Sequence, residues 1–292
     1  MPELPEVETV VRGLRPALQG RRLARVELRR PDLRFPFPEG FADRLSGRTV
    51  KDVTRRAKYI LIRLDDGAIW LAHLGMSGRF TVKPGATART GQADHNSGWA
   101  LADKHDHFLV ETDDGGRVIY NDTRRFGFMD LVAPGDEVDN RHLRALGPEP
   151  LSDDFSPAYL AATLRGKRTP IKAALLDQRV VAGIGNIYAC EALWRAGISP
   201  RRSAHTVAGG RAERMVTAVK SVLDEAIEAG GSSLRDYVQT DGELGYFQHR
   251  WAVYGRVGEV CAKCSAERNT DCRIARIAQS GRSTFYCSRQ QR

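Results

Sequence analysis

The sequence predicts an α+β protein in which one helix, a strand-rich region and a helical region follow one another along the chain. Three observations predict it. Apolar residues near the N-terminus recur at helical spacing, the stretch from Leu23 to about Val132 is a series of short β-rich runs, and the runs beyond residue 155 return to a helical period. The character changes once more at the end, where four of the five cysteines crowd into the last 32 residues.

Taken in order, Val7, Val10, Val11, Leu14, Ala17 and Leu18 lie on one face of a helix over residues 5–20, and Gly20 sits just past its end. RLARVELRR, TVKDVTRRAKYILIRL, AIWLAHLGMSGRFTV, HFLVETDDGGRVIYND and FGFMDLV then read as strands separated by Gly, Pro and Asp turns. Many short strands after a single helix suggest a sandwich or a barrel. Residues 84–107 form a polar insertion, expected as a mobile surface loop. LGPEPLSDDF (146–155) has the composition of a linker, and helical periods follow at 156–165, 170–177, 186–196, 206–229 and 232–239. From Trp251 onward eight Lys/Arg face three Asp/Glu. These changes divide the chain into segments 1–135, 150–245 and 250–292.

With 292 residues the chain has room for two domains with cores of their own. Its net charge of +9 suits a polyanionic partner such as nucleic acid, although charge alone is also compatible with solubility. No run of 18 apolar residues is present, so a membrane span is excluded. The opening MPELPEVET is acidic and lacks the basic and apolar regions of a signal peptide. An odd number of cysteines without such a peptide argues for thiols or metal ligands in a reducing, cytoplasmic compartment.

Several residues could carry chemistry. Met1 precedes a small residue, so trimming would leave the secondary amine of Pro2 as the terminus. Attack by that amine on a sugar C1′ gives an iminium ion that must stay cationic, because no N–H remains to be lost. Such an ion acidifies the neighbouring carbon and permits strand cleavage by elimination. Glu3 and Glu6 are nearby acid/base candidates, yet Pro and Glu also suit a plain helix start, and on pattern alone that is the simpler reading. Lys58, taken alone, reads as a surface lysine beside a strand. Met76, between Gly75 and Ser77-Gly78, looks like a loop tip. GIGNIY (183–188) opens a helix whose amides could face phosphate. His105 and His107 flank Asp106 without a matching third ligand and read as ordinary strand residues.

PELPEVET, RRAKY (55–59), HLGMSG (73–78), DTRRFGF (122–128), LGPEPL (146–151), LLDQRVVAGIGNIYACEALW (175–194), GGSSLRD (230–236), GYFQ (245–248), VYGR (253–256) and GRSTFYC (281–287) occur in this order from end to end. This series resembles the formamidopyrimidine-DNA glycosylase family. The resemblance implies an N-terminal helix with a β-sandwich, a helix–two-turn–helix DNA-binding domain and a zinc-ribbon-like C-terminal hairpin. It also implies excision of oxidised purines from double-stranded DNA, followed by β- and δ-elimination. Pro2 resembles the nucleophile, Glu3 the acid that assists opening of the sugar ring, and Lys58 the lysine that holds phosphate beside the damaged nucleotide. Met76, Arg124 and Phe126 match the residues that fill the gap left by a flipped base, a task suited to an apolar wedge and a guanidinium. Asn186 matches a ligand of the DNA backbone, and Arg282 matches the arginine that the hairpin delivers to DNA.

The resemblance further implies a zinc ion held by two Cys-x-x-Cys knuckles, and no organic cofactor. Cys261, Cys264 and Cys287 match three ligands, but Gln290 stands where the fourth cysteine belongs, and 22 residues separate the knuckles. Two outcomes are open. Cys272 could fold back to complete a four-thiolate site, or it could lie on a strand leaving the first knuckle with its sulfur turned away. The second leads to an absent or weakened zinc, and it is the expectation adopted. Two other functional readings are an endonuclease VIII-like enzyme for oxidised pyrimidines and a non-catalytic DNA-binding homologue. Pro2, Glu3 and Lys58 speak against the latter. The protein is expected to be a bacterial, cytoplasmic monomer, nucleoid-associated when bound to DNA.

Overall fold

The structure, a computed structural model, describes residues 1–85, 103–232, 240, 245–267 and 271–292. Residues 86–102 of the expected insertion and 233–239 of the expected last helix therefore lie outside the described residues. The chain forms two compact units, Met1–Arg144 with Gly230–Tyr246 and Ala145–Ala229 with Phe247–Arg292.

In the first unit, α1 (Leu4–Leu18) buries Val7, Val10, Val11, Leu14 and Leu18. This is the stripe that a 3.6-residue period places on one face, and each such side chain contributes roughly 1.5–3 kcal/mol when fully buried. Pro5 stands in the first turn, where its missing N–H costs nothing. Among the described residues, eight strands and a one-turn helix α2 (Phe41–Leu45) accompany α1. The strands are β1 (Leu23–Leu28), β2 (Val50–Arg56), β3 (Tyr59–Leu64), β4 (Ile69–His73), β5 (Arg79–Lys83), β6 (Asp106–Thr112), β7 (Arg117–Asn121) and β8 (Phe128–Val132).

They form two four-stranded antiparallel sheets, ordered β1-β6-β7-β5 and β2-β3-β4-β8. Inward residues alternate along the strands, as with Ile60, Ile62 and Leu64 in β3 or Phe108 and Val110 in β6. Trp70 of the second sheet meets Phe108 and Phe80 of the first, with ring centroids 4.9 and 6.3 Å apart. The two inner faces thus share one core, onto which α1 packs. A sandwich, not a barrel, follows from these contacts.

The second unit holds α3 (Pro157–Leu164), α4 (Ile171–Leu176), α5 (Asn186–Ala196) and α6 (Gly210–Glu228). The expected helix at 206–229 starts late because the Gly209-Gly210 pair interrupts it, Gly209 having φ +52°. The buried Glu191 carboxylate of α5 accepts the backbone N–H groups of Ala252, Val253 and Tyr254 at 2.8–3.0 Å. That bond set pins the VYGR segment to the helical unit. A short α7 (Ala262–Ala266) and an antiparallel hairpin, β9 (Ala275–Gln279) and β10 (Arg282–Tyr286), follow. The hairpin turns through Ser280 and Gly281, both at positive φ, as a two-residue turn matched to strand twist requires.

Candidate active site

Pro2 and Glu3 lie buried at the head of α1. Glu3 and Glu6 form a reciprocal capping box, with the Glu3 N–H donating to Glu6 Oε2 at 2.8 Å. The other Glu6 oxygen accepts the Ser232 N–H at 2.8 Å. Glu6 therefore commits both oxygens to backbone donors and acts as a staple, and Glu3 is the better candidate acid of the two. Gly231 passes so close to Glu6 that an added Cβ would sit 3.1 Å from its side chain, and it adopts φ +81°. Gly231 and Ser232 are thus fitted to the start of α1.

Lys58 stands in the two-residue turn between β2 and β3, where Arg56 pairs with Tyr59. The turn demands φ +54° at Ala57, a costly conformation for a residue with a Cβ. Arg55 holds it by donating to the Ala57 carbonyl at 3.0 Å, and the same guanidinium pairs with Glu8 of α1 at 3.0 Å. Lys58 is buried, so its ammonium is placed and not waving in solvent. On the neighbouring strand, His73 packs against Tyr59 and Phe128. Burial first, and then the charges of Lys58, Arg34 and His142, hold its pKa down at about 4. The ring is therefore neutral at physiological pH, and Nδ1 accepts the Gly75 N–H at 3.0 Å.

Met76 lies half-buried in the turn between β4 and β5. Arg124 and Phe126 are exposed in the turn between β7 and β8, with the guanidinium 4.8 Å above the Phe126 ring. An aromatic ring left 44% exposed is not part of a core. The two turns that carry these three residues are joined through Asp122, which is fully buried. Its carboxylate accepts from Ser77 Oγ at 2.6 Å, Gly127 N at 2.8 Å, Arg124 N at 3.2 Å and Tyr120 Oη at 3.3 Å. Gly75 closes the arrangement, because any Cβ there would collide with the backbone of Phe126 and Gly127. The two turns are one rigid platform. Motif matching gives no separate weight to Asp122 or His73, although each sits inside a quoted segment.

In the second unit, Asn186 is the first residue of α5, and its Nδ2 donates to the Ser283 carbonyl at 3.0 Å, while Oδ1 is buried without a partner. The preceding loop is closed by Gln178, which bonds the Leu176 and Ile184 carbonyls and the Gly183 N–H at 2.9–3.1 Å. Arg282 projects exposed at the start of β10. Lys172, a lysine buried on α4, also reaches the hairpin, donating to Ser283 O at 3.1 Å and Thr284 Oγ1 at 2.7 Å. Sequence reasoning missed it. A lone charge in the apolar run IKAALL was the available signal.

Cys261, Cys264 and Cys287 are buried, with their sulfurs within 4.8 Å of one another, and this cluster could bind zinc. Cys272 stands outside that group of three, but its sulfur is not turned away from it as expected, since it lies 3.3 Å from that of Cys287. Backbone pairing is the reason, since Cys261 N–H donates to the Cys272 carbonyl at 3.0 Å and holds Cys272 beside the first knuckle. His107 lies in β6 with a ring nitrogen 2.9 Å from the Asp122 carbonyl, and His105 just precedes that strand.

Residues 1–129 match the family model described as the formamidopyrimidine-DNA glycosylase N-terminal domain, and residues 146–238 match its H2TH domain. The chain belongs to the formamidopyrimidine-DNA glycosylase family. Curated relatives of that name from Rhodospirillum centenum and Ruegeria pomeroyi are 58% and 54% identical over the whole of both chains. Among solved structures, the MutM (Fpg) protein of Thermus thermophilus is 39% identical with a TM-score of 0.83, covering 99% of this chain and 98% of its own. A Lactococcus lactis Fpg variant in complex with a Fapy-dG containing DNA is 32% identical over all of both chains, with a TM-score of 0.85. The wild-type Lactococcus protein in complex with an oxidised pyrimidine containing DNA has a TM-score of 0.84 at 31% identity, again over all of both chains. No helix among the described residues is long and apolar enough to cross a membrane.

Proposed function

We propose that this formamidopyrimidine-DNA glycosylase family member uses Pro2, freed by removal of Met1, as the nucleophile that releases an oxidised purine from double-stranded DNA. The activity is that of a bifunctional DNA glycosylase and abasic-site lyase. Its substrates are 8-oxoguanine and formamidopyrimidine lesions, as the Lactococcus complex with a Fapy-dG containing DNA supports. The observation that carries the reading is the buried Pro2-Glu3 pair, locked by the capping box at the head of α1 in a chain that matches the family end to end.

The amine lone pair forms a bond to C1′ as the C1′–base bond breaks, the amine's own proton passes to the departing base, and the sugar ring opens to the iminium as Glu3 gives a proton to the ring oxygen. The iminium so formed draws electrons from the C2′–H bond. Loss of that proton expels the 3′ phosphate, and a second elimination expels the 5′ phosphate. Lys58 holds a phosphate beside the lesion. Met76 and Phe126 occupy the space of the flipped nucleotide, and Arg124 hydrogen-bonds the orphaned partner base. Asn186 and Arg282 of the second unit contact the DNA backbone, which positions the duplex without reading sequence. Zinc bound by the C-terminal cysteines would stiffen the hairpin that carries Arg282. A chromosomal substrate puts the work in the bacterial cytoplasm, at the nucleoid.

Borohydride trapping tests the reading. With a duplex containing 8-oxoguanine opposite cytosine, the reduced adduct should map to Pro2, and Glu3→Gln should slow base release more than cleavage at a preformed abasic site. An adduct on an internal lysine would overturn the assignment. A parallel duplex bearing an oxidised pyrimidine measures the preference between base classes, and faster turnover of the pyrimidine would favour the endonuclease VIII-like alternative.

A further inference from the structure

The knuckle pattern implied by the family fails in this chain at residue 290, where glutamine replaces the fourth thiol. Cys261, Cys264 and Cys287 still hold their sulfurs within 4.8 Å of one another, and Cys272, which stands outside that group of three, reaches it through Cys287. Cys264 and Cys287 sulfurs are 3.6 Å apart, and Cys272 and Cys287 sulfurs are 3.3 Å apart. Thiolates around one tetrahedral zinc at about 2.3 Å each would be about 3.8 Å apart, whereas a disulfide would bring two sulfurs to about 2.05 Å. We propose that Cys272 is the fourth zinc ligand of this chain, so that the site is a four-thiolate centre with its last ligand taken from the inter-knuckle segment.

The backbone explains why the sulfur points inward. Cys261 N–H donates to the Cys272 carbonyl at 3.0 Å, Ile274 N–H to the Glu259 carbonyl at 2.8 Å, and Gly258 N–H to the Ile274 carbonyl at 2.9 Å. Val260 also bridges to Arg273. The segment therefore pairs with the chain just before the first knuckle before it enters β9, and Cys272 is delivered beside Cys261. Donors to sulfur complete the setting. Trp194 Nε1 donates to Cys261 and the Gln290 backbone N–H to Cys287, each at 3.4 Å.

Gln290 is the competing ligand. A neutral amide oxygen is a hard, weak donor for zinc beside a thiolate. The turn around it does not need a metal, since Gln291 fastens it. The Cys287 N–H donates to Gln291 Oε1 at 2.7 Å, and Gln291 Nε2 donates to the Ile198 carbonyl at 3.0 Å. The chain end is thus anchored by a buried amide where a second knuckle would rely on its ligand.

This inference rests on the zinc reading above and not on the excision chemistry, so borohydride trapping and the following test fail independently. The full chain, purified from zinc-supplemented medium without chelator, is measured by elemental analysis and zinc-edge X-ray absorption. One zinc per chain with four sulfurs at about 2.3 Å is expected. Cys272→Ser should lose the metal to a competing chelator at concentrations roughly two orders of magnitude lower than wild type, as the removal of one charged ligand implies. Gln290→Ala should keep both zinc and sulfur count, and Cys272→Ser/Gln290→Cys should regain retention. Three sulfurs in the wild type, zinc unaffected by Cys272→Ser, no bound zinc, or a Cys272–Cys287 disulfide in fresh protein would each overturn the assignment.

Discussion

Replacing Asp122 tests whether the two turns that present Met76, Arg124 and Phe126 act as one platform. The carboxylate is fully buried and accepts four hydrogen bonds, two of them from the backbone N–H groups of Arg124 and Gly127. Ser77 and Tyr120 can rotate their hydroxyls towards other acceptors, but a backbone N–H cannot turn. Each buried donor left unpaired costs about 1–3 kcal/mol, so Asp122→Ala should lose about 2–6 kcal/mol of stability. Asp122→Asn keeps the shape and one acceptor oxygen, and should lose about 1–3 kcal/mol, or very roughly 2–4 °C in Tm per kcal/mol. The informative variant is the asparagine, because it folds. Its amide NH₂ must face at least one donor, which pushes the Ser77 turn and the Arg124 turn apart. Anisotropy titrations, run well below the lowered Tm, should show weakened binding to a duplex with 8-oxoguanine and a smaller change with an abasic-site duplex, where the base is already gone. An equal loss on both duplexes would refute the platform reasoning and leave Asp122 as a stability residue alone.

Further outcomes follow from the same geometry. Arg124→Ala should change which base is tolerated opposite the lesion, read from excision rates across four partner bases, and an unchanged ranking counts against its contact with the orphaned base. His73 is neutral in the fold with a pKa of about 4 against an ordinary 6.5, so the native state holds fewer protons than the unfolded chain between those values. Its contribution to stability is complete above pH 6.5 and is lost as pH falls towards 4, by about 3 kcal/mol at most. His107 and His142, also lowered mainly by burial, act in the same direction. His73→Phe should therefore flatten, without abolishing, the acid limb of a denaturation series, and an unaltered limb contradicts the assignment. Lys172→Met should loosen the hairpin, raising hydrogen exchange at 281–284 and weakening DNA binding about as Arg282→Ala does, with zinc content unchanged. Unaltered exchange would show that the hairpin does not depend on Lys172.

Much of the fold was legible because it is written in local periods. The stripe from Val7 to Leu18 predicted α1, and alternation predicted the strands, because each pattern depends on neighbours within a turn or a pleat. The choice between sandwich and barrel was not legible from the strands, since it turned on Trp70 meeting Phe108 across two sheets. The same distinction runs through the candidate site. Pro2, Glu3 and Lys58 stand inside quotable motifs, whereas Asp122 matters through Ser77, 45 positions away, and Lys172 through Ser283, 111 positions away.

Cys272 shows why spacing misled. A place on a strand leaving the first knuckle turns the sulfur outward, a reading that treats the strand as already running at Cys272. In the structure β9 begins at Ala275, and the residues before it obey a different partner, the backbone of Gly258–Cys261. Side-chain direction in a paired segment follows the register of the pair, and a shift of one residue reverses every side chain. The pairing of Val260 with Arg273 sets this register, and it lies on the far side of the β9–β10 hairpin turn from Cys287. The pairing, and not the knuckle motif, places the Cys272 thiol beside Cys287.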